Sequence, residues 1–119
     1  MSCNNVLIVE DDKAVRQTMK DVLELQGYRV FVASDGKEGI DTLRTISPDP
    51  CVILLDLMMP KSNGWQFLEA QRNDPALSRV PVVICSAYPE SAKSLNPSAF
   101  VPKPVQFDSL LSAVKKYCA

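Results

Sequence analysis

Five short runs in this chain are apolar at almost every position, and they leave it little choice of architecture. They are Val6 to Val9, Tyr28 to Ala33, Cys51 to Leu55, Val80 to Cys85 and Ser98 to Val101. A strand with one wet face alternates polar and apolar residues, and these runs do not. Each must therefore be covered on both sides. The covering layers are legible between the runs as helical periodicity. Asp12 is placed to cap a helix over Lys13 to Gln26, with Val15, Met19, Val22 and Leu23 on one face and Gly27 ending it. Asp35-Gly36 opens a second helix with Ile40 and Leu43 inward, and Pro48 closes it. A third runs from Gly64 to about Asn73 with Phe67 and Leu68 inward. The last spans Phe107 to Tyr117 with Leu110, Leu111 and Val114 inward. Strands alternating with helices in this way predict a doubly wound α/β fold around a parallel sheet with right-handed crossovers. Pro81 restricts the start of the fourth strand. The stretch between Ser86 and Lys103 holds Pro89 and Pro97 and one large aliphatic residue, Leu95, so at most two mobile helical turns are expected there.

Polar groups stand where the strands stop. Glu10-Asp11 follows the first, Asp56 the third, Ser86 the fourth and Lys103-Pro104 the fifth. Ligands of open α/β sheets bind beyond the carboxyl ends of the strands. In a parallel sheet, three acids and one lysine would meet at that edge. Carboxylates brought together repel, and a bound cation is the usual remedy. Taken singly, each residue has an ordinary explanation. Glu10-Asp11 and Asp12 are possible helix caps, and Asp56 a turn before Pro60. Met58-Met59 fits loop packing, Lys103 a surface lysine and Ser86 a strand-end hydroxyl. None of these explains why all converge on one edge.

Several function classes are excluded early. The chain has 119 residues, the size of one domain covering 1–119, and can bury roughly two-thirds of its unfolded surface. A net charge of −1 argues against a nucleic-acid-binding surface. No apolar stretch approaches membrane-spanning length, Met1 to Asn5 does not read as a signal peptide, and a cytoplasmic location is expected. There is no histidine, which removes histidine bases and ligands and any Ser-His-Asp mechanism. Cys3, Cys51, Cys85 and Cys118 show no CxxC spacing. They read as reduced thiols, with Cys51 and Cys85 as small buried hydrophobes, rather than as a zinc site or catalytic thiol.

Val-Glu-Asp-Asp at 9–12, Leu-Asp-Leu-Met-Met-Pro at 55–60, Gly64, Ser86-Ala87, Phe100 and Lys103-Pro104 occur in this order, each at a strand end or loop. The chain resembles a response-regulator receiver domain of two-component signalling over nearly all its length. The resemblance implies a five-stranded sheet in the order 2-1-3-4-5, and receiver domains are themselves a standard instance of the strand-end rule. It implies Asp56 as phospho-acceptor, with Lys103, Ser86 and Ala87 completing the catalytic set. It implies Mg²⁺ held by Asp11, Asp56 and the backbone carbonyl of Met58, with Glu10 acting through water. Oxygen donors of this kind favour a hard cation over zinc. Phe100 occupies the place of the switch aromatic, and inward rotation as Ser86 moves toward the pocket is the expected switch. The Lys103-Pro104 peptide is expected to be cis, since the lysine must be followed by a sharp turn. The implied partners are a histidine kinase or histidine phosphotransfer protein and an unknown downstream protein, with no nucleic acid and no membrane.

Two departures from the family pattern stand out. The segment from Ser86 to Lys103 is several residues short, which predicts a shortened fourth helix, and Pro97-Ser98-Ala99 replaces the usual Gly-Ala before the aromatic. Trp65 is open to two readings, a partner contact or a cover over Phe67. A degenerate receiver acting only as a binding module is the alternative function; the intact acids and Lys103 argue against it. A haloacid-dehalogenase-type phosphatase would want a second acid two residues after the nucleophile, where Asp56-Leu57-Met58 has none.

Overall fold

Val6, Leu7, Ile8 and Val9 are fully buried, although successive residues of a strand face opposite ways. The computed structural model, which describes residues 4–46, 49–56, 64–86 and 97–118, shows why both directions are dry. Strands β1 (Asn5–Val9), β2 (Arg29–Ala33), β3 (Val52–Asp56), β4 (Val82–Ser86) and β5 (Ala99–Pro102) form one all-parallel sheet in the order β2-β1-β3-β4-β5. One face carries Leu7, Val9, Ile53, Leu55 and Ile84, packed with Leu43 of α2 (Gly36–Thr45) and Phe67 and Leu68 of α3 (Gly64–Asn73). The other carries Val6, Ile8, Val52, Leu54 and Val83, packed with Met19 and Leu23 of α1 (Lys13–Leu25) and Leu110 and Val114 of α4 (Phe107–Tyr117). The period of two within each strand thus sorts the core into two clusters, one per helical layer.

Local chemistry sets the helix ends. The Val15 N–H donates to Asp12 Oδ1 at 3.1 Å, and the Glu38 N–H donates to Asp35 Oδ1 at 2.8 Å. Both aspartates act as N-caps. Gly27, at φ +92°, turns the chain out of α1 in a conformation that favours glycine. α4 has Asp108 in its first turn and Lys115 and Lys116 in its last, matching the helix dipole.

Boundaries differ from expectation by one or two residues. β4 begins at Val82 because Pro81 has no N–H for the ladder, although its carbonyl still accepts from Ile53 at 2.9 Å. Pro102 belongs to β5, which pairs on one side within this sheet and so tolerates a missing donor. The Lys103-Pro104 peptide is cis, as expected. Trp65 is half-buried and packs against the same cluster as Phe67. The shortened fourth helix and its expected mobility fall on 87–96, outside the described residues, as do Pro48 and the 57–63 loop.

One expectation is corrected. Cys51 and Cys118 are not separate thiols but form a disulfide, with Cα atoms 5.5 Å apart across a sequence separation of 67. The topology accounts for it: α4 runs back along the sheet and delivers its C-cap residue to the start of β3. Cys85 stays free and buried.

Candidate functional site

β1 and β3 are hydrogen-bonded neighbours in register, so the residues that follow them emerge side by side. Glu10, Asp11 and Asp56 each offer a carboxylate oxygen, and these oxygens all lie within 4.8 Å of one another. Lys103, which follows β5 at the far side of β4, reaches across to them. Its Nζ donates to Glu10 Oε1 at 2.7 Å and pairs with Asp56 Oδ2 at 3.2 Å. Its backbone N–H donates to the Ser86 carbonyl at 2.9 Å, fixing the stem of the side chain to the end of β4. Glu10, Asp56 and Ser86 are buried; Asp11 and Lys103 are half-buried and line the open side.

Five of the six expected residues with described side chains, Glu10, Asp11, Asp56, Ser86 and Lys103, thus come to one edge of the sheet. Phe100 lies elsewhere, three residues back on β5 opposite Ile84, half-buried against the α2–α3 side of the core. Met58 and Ala87 lie outside the described residues. Sequence reading missed Arg16. Its guanidinium donates to the carbonyl oxygen of Glu10 at 2.8 Å and of Asp11 at 3.4 Å. The Asp12 N–H donates to Glu10 Oε2 at 3.2 Å. The acidic turn is therefore braced from below by the first turn of α1. The available signal was positional: Arg16 stands one helical turn past the Asp12 cap, within reach of the carbonyls before it.

The electrostatics of the cluster are unbalanced. Burial raises the Glu10 carboxyl from its ordinary 4.5 to about 7, and the neighbouring Asp56 adds to the rise while Lys103 opposes it. Burial alone would lower the Lys103 ammonium, but the hydrogen bond and charge of Glu10, with the charge of Asp56, outweigh it and raise its pKa. With Glu10 ionised, three carboxylates against one ammonium leave a net deficit of about two positive charges. The donors are all oxygen, with no sulfur or imidazole among them. A small, hard divalent cation fits both the charge and the donor set.

Comparison with known proteins adds four findings. The family model described as the response regulator receiver domain matches residues 6–115. The chain is 32% identical over 117 residues to the transcriptional regulatory protein CpxR of Escherichia coli K12, covering 94% of this chain and 48% of that one. It is 30% identical over 115 residues to the response regulator MprA of Mycolicibacterium vanbaalenii, covering 92% of this chain and 48% of that one. It therefore spans about half the length of these relatives. Among solved structures, the Vibrio cholerae chemotaxis protein CheY4 superposes with a TM-score of 0.86 at 26% identity, covering 97% of this chain and 98% of that one.

Proposed function

This chain belongs to the response regulator receiver domain family, and from that membership we propose that it accepts a phosphoryl group on Asp56, with Mg²⁺, from a histidine kinase or histidine phosphotransfer protein. The observation that carries this reading is the ion pair of Lys103 with both Glu10 and Asp56, in a pocket that Asp11 completes. A carboxylate oxygen of Asp56 attacks phosphorus, and the bond from phosphorus to the donor nitrogen breaks with its electron pair left on nitrogen. The product is an acyl phosphate. Asp11, Asp56 and the Met58 carbonyl would hold Mg²⁺ directly and Glu10 through water. The cation supplies positive charge to the phosphoryl oxygens. Lys103 is a mobile point charge on a flexible stem, suited to leave its carboxylates for a phosphoryl oxygen. The Ser86 hydroxyl would donate to another, and Ala87 is proposed to complete the set. Little covalent work remains for other groups, so positioning and charge carry the step. Loss of the phosphoryl group would occur in the same pocket, by attack of water.

The absence of histidine is no obstacle, because the phosphohistidine belongs to the donor. Beside Lys103 runs a groove of about 350 Å³ between α1 and the start of α4, lined by Ala14, Val15, Thr18, Val105 and Phe107. It is mostly apolar and reaches the site at Lys103, and the proposed donor docks there. Phe100 is proposed as the switch residue, turning further inward when Ser86 is drawn toward the phosphoryl group. That population shift would alter the surface offered to a downstream protein, without nucleic acid or membrane contact by this domain. A cytoplasmic location and a single domain over 1–119 complete the reading; among the described residues no helix is long and apolar enough to cross a membrane. A degenerate receiver gains no support, since every acid and the lysine are present.

The test is direct. Incubation with a small acyl-phosphate donor and Mg²⁺, followed by trapping and peptide mass spectrometry, should place the label on Asp56 and only when Mg²⁺ is present. Label on another residue, or equal label in Asp56→Asn, overturns the proposal.

A further inference from the structure

At the edge of the sheet opposite the acid pocket, two sulfur atoms meet. Cys51 directly precedes β3, Cys118 is the C-cap of α4, and the two are joined. Asn5 opens β1 beside them. Its carbonyl oxygen accepts the Cys51 N–H at 2.9 Å and lies 3.2 Å from Cys51 Sγ. The second distance is informative. A disulfide sulfur has no proton to donate, whereas a thiol has one, and a carbonyl oxygen has two lone pairs to receive both donors. In a single backbone arrangement Cys51 therefore has a partner in either form: Cys118 when oxidised, the Asn5 carbonyl when reduced. The surroundings tolerate both forms. Leu23, Val52, Leu110 and Val114 belong to the same cluster, and a neutral thiol packs there as a small hydrophobe. The Cα separation of 5.5 Å lies within bonding range, so opening and closing need no large backbone shift. Cys85 is the contrast. It sits in the same cluster with no second sulfur bonded to it, so it has no partner with which to close a bond.

We propose that Cys51 and Cys118 are a reversible thiol–disulfide pair, a redox-modifiable site that fastens the end of α4 to the foot of β3. On closing, each sulfur loses its proton, the S–S bond forms, and the two electrons pass to a small-molecule disulfide such as oxidised glutathione, which leaves as two thiols. Opening is the reverse exchange, each direction passing through a mixed disulfide. The placement gives the pair its reach. β3 carries Asp56 at its other end, and α4 begins four residues after Lys103. The bond thus ties the foot of the strand that ends in Asp56 to the far end of the helix that follows the Lys103 turn. Nothing in this proposal depends on phosphorylation of Asp56.

The unmodified chain serves as its own test. It is equilibrated in glutathione buffers from fully reducing to fully oxidising, quenched with an alkylating reagent and mapped by mass spectrometry. Cys51 and Cys118 should lose and regain their labels together in one two-electron transition. Circular dichroism should show a native fold at both extremes, with a melting temperature lower by on the order of 10 °C in the reduced form. Cys118→Ser should leave Cys51 labelled throughout and melt with the reduced wild type. The proposal is overturned if Cys51 and Cys118 stay labelled under oxidising buffer, or if Cys3 or Cys85 takes part in the bond. It is equally overturned if reduction needs denaturant, if the reduced chain is unfolded, or if melting is the same in both forms.

Discussion

β3 is five residues long and ends in two different chemistries. At its foot, Cys51 is buried, its N–H is taken by Asn5, and its sulfur is bonded to Cys118. At its head, Asp56 is equally buried but shares one ammonium with Glu10 while Asp11 stands alongside. Among the described residues no buried side-chain nitrogen or oxygen lacks a hydrogen-bond partner, so the head is satisfied in hydrogen bonds. It is not satisfied in charge. The two requirements are separate: one lysine can donate to two carboxylates at once and still leave the cluster negative. The foot of the strand adds to stability, whereas the head, on the function proposed above, gives some up in order to attract a cation and a phosphoryl group.

The strongest test of this contrast is Asp56→Asn. Phosphoryl acceptance should fall by at least about a hundredfold, because the nucleophile is gone. In Mg²⁺-free urea titrations the same variant should be no less stable than the wild type, since one of three mutually repelling acids has been neutralised. A clear loss of stability would break the comparison. At the foot the sign reverses. Cys51→Ala with Cys118→Ala, measured against the oxidised wild type, should cost about 2–4 kcal/mol in urea, because a long loop is released.

The pH dependence sharpens the picture of the head. The folded Glu10 value of about 7 lies above its ordinary 4.5, so the folded chain holds this proton more tightly than the unfolded one. The Glu10 contribution is therefore most favourable below about 4.5 and is lost as pH rises to about 7. Read as the difference between wild type and Glu10→Gln without Mg²⁺, the loss should reach a few kcal/mol at most. Saturating Mg²⁺ should flatten the difference; a difference that does not vary with pH would show that Glu10 is not destabilised by burial.

Smaller effects are expected where the head is braced. Arg16→Ala removes two donors from the carbonyls of Glu10 and Asp11 and should lower the urea-derived stability by about 1–2 kcal/mol, with partial recovery in Arg16→Lys. Asp12→Ala removes only a helix cap and should cost about 1 kcal/mol by the same measurement. If Asp12→Ala proves the more damaging of the two, Arg16 is not a brace.

Which of these features are visible without coordinates follows from the range over which their causes act. Uninterrupted apolar runs dictate strands buried on both faces. Asp12 and Asp35 cap because their side chains reach N–H groups three residues on, and Gly27 turns because it alone carries no Cβ penalty. The strand-end positions of Glu10, Asp11, Asp56, Ser86 and Lys103 are set by the same local pattern. The resemblance carried the strand order, and the structure agrees with it. Other contacts join residues that the chain itself does not bring together. Lys103 selects Glu10 across 93 residues, and Cys51 meets Cys118 across 67. Hydrophobic periodicity states only that a side chain is buried. It says nothing of which neighbour it meets there, so cysteines that read as small hydrophobes become a bonded pair only when the sheet and α4 are assembled.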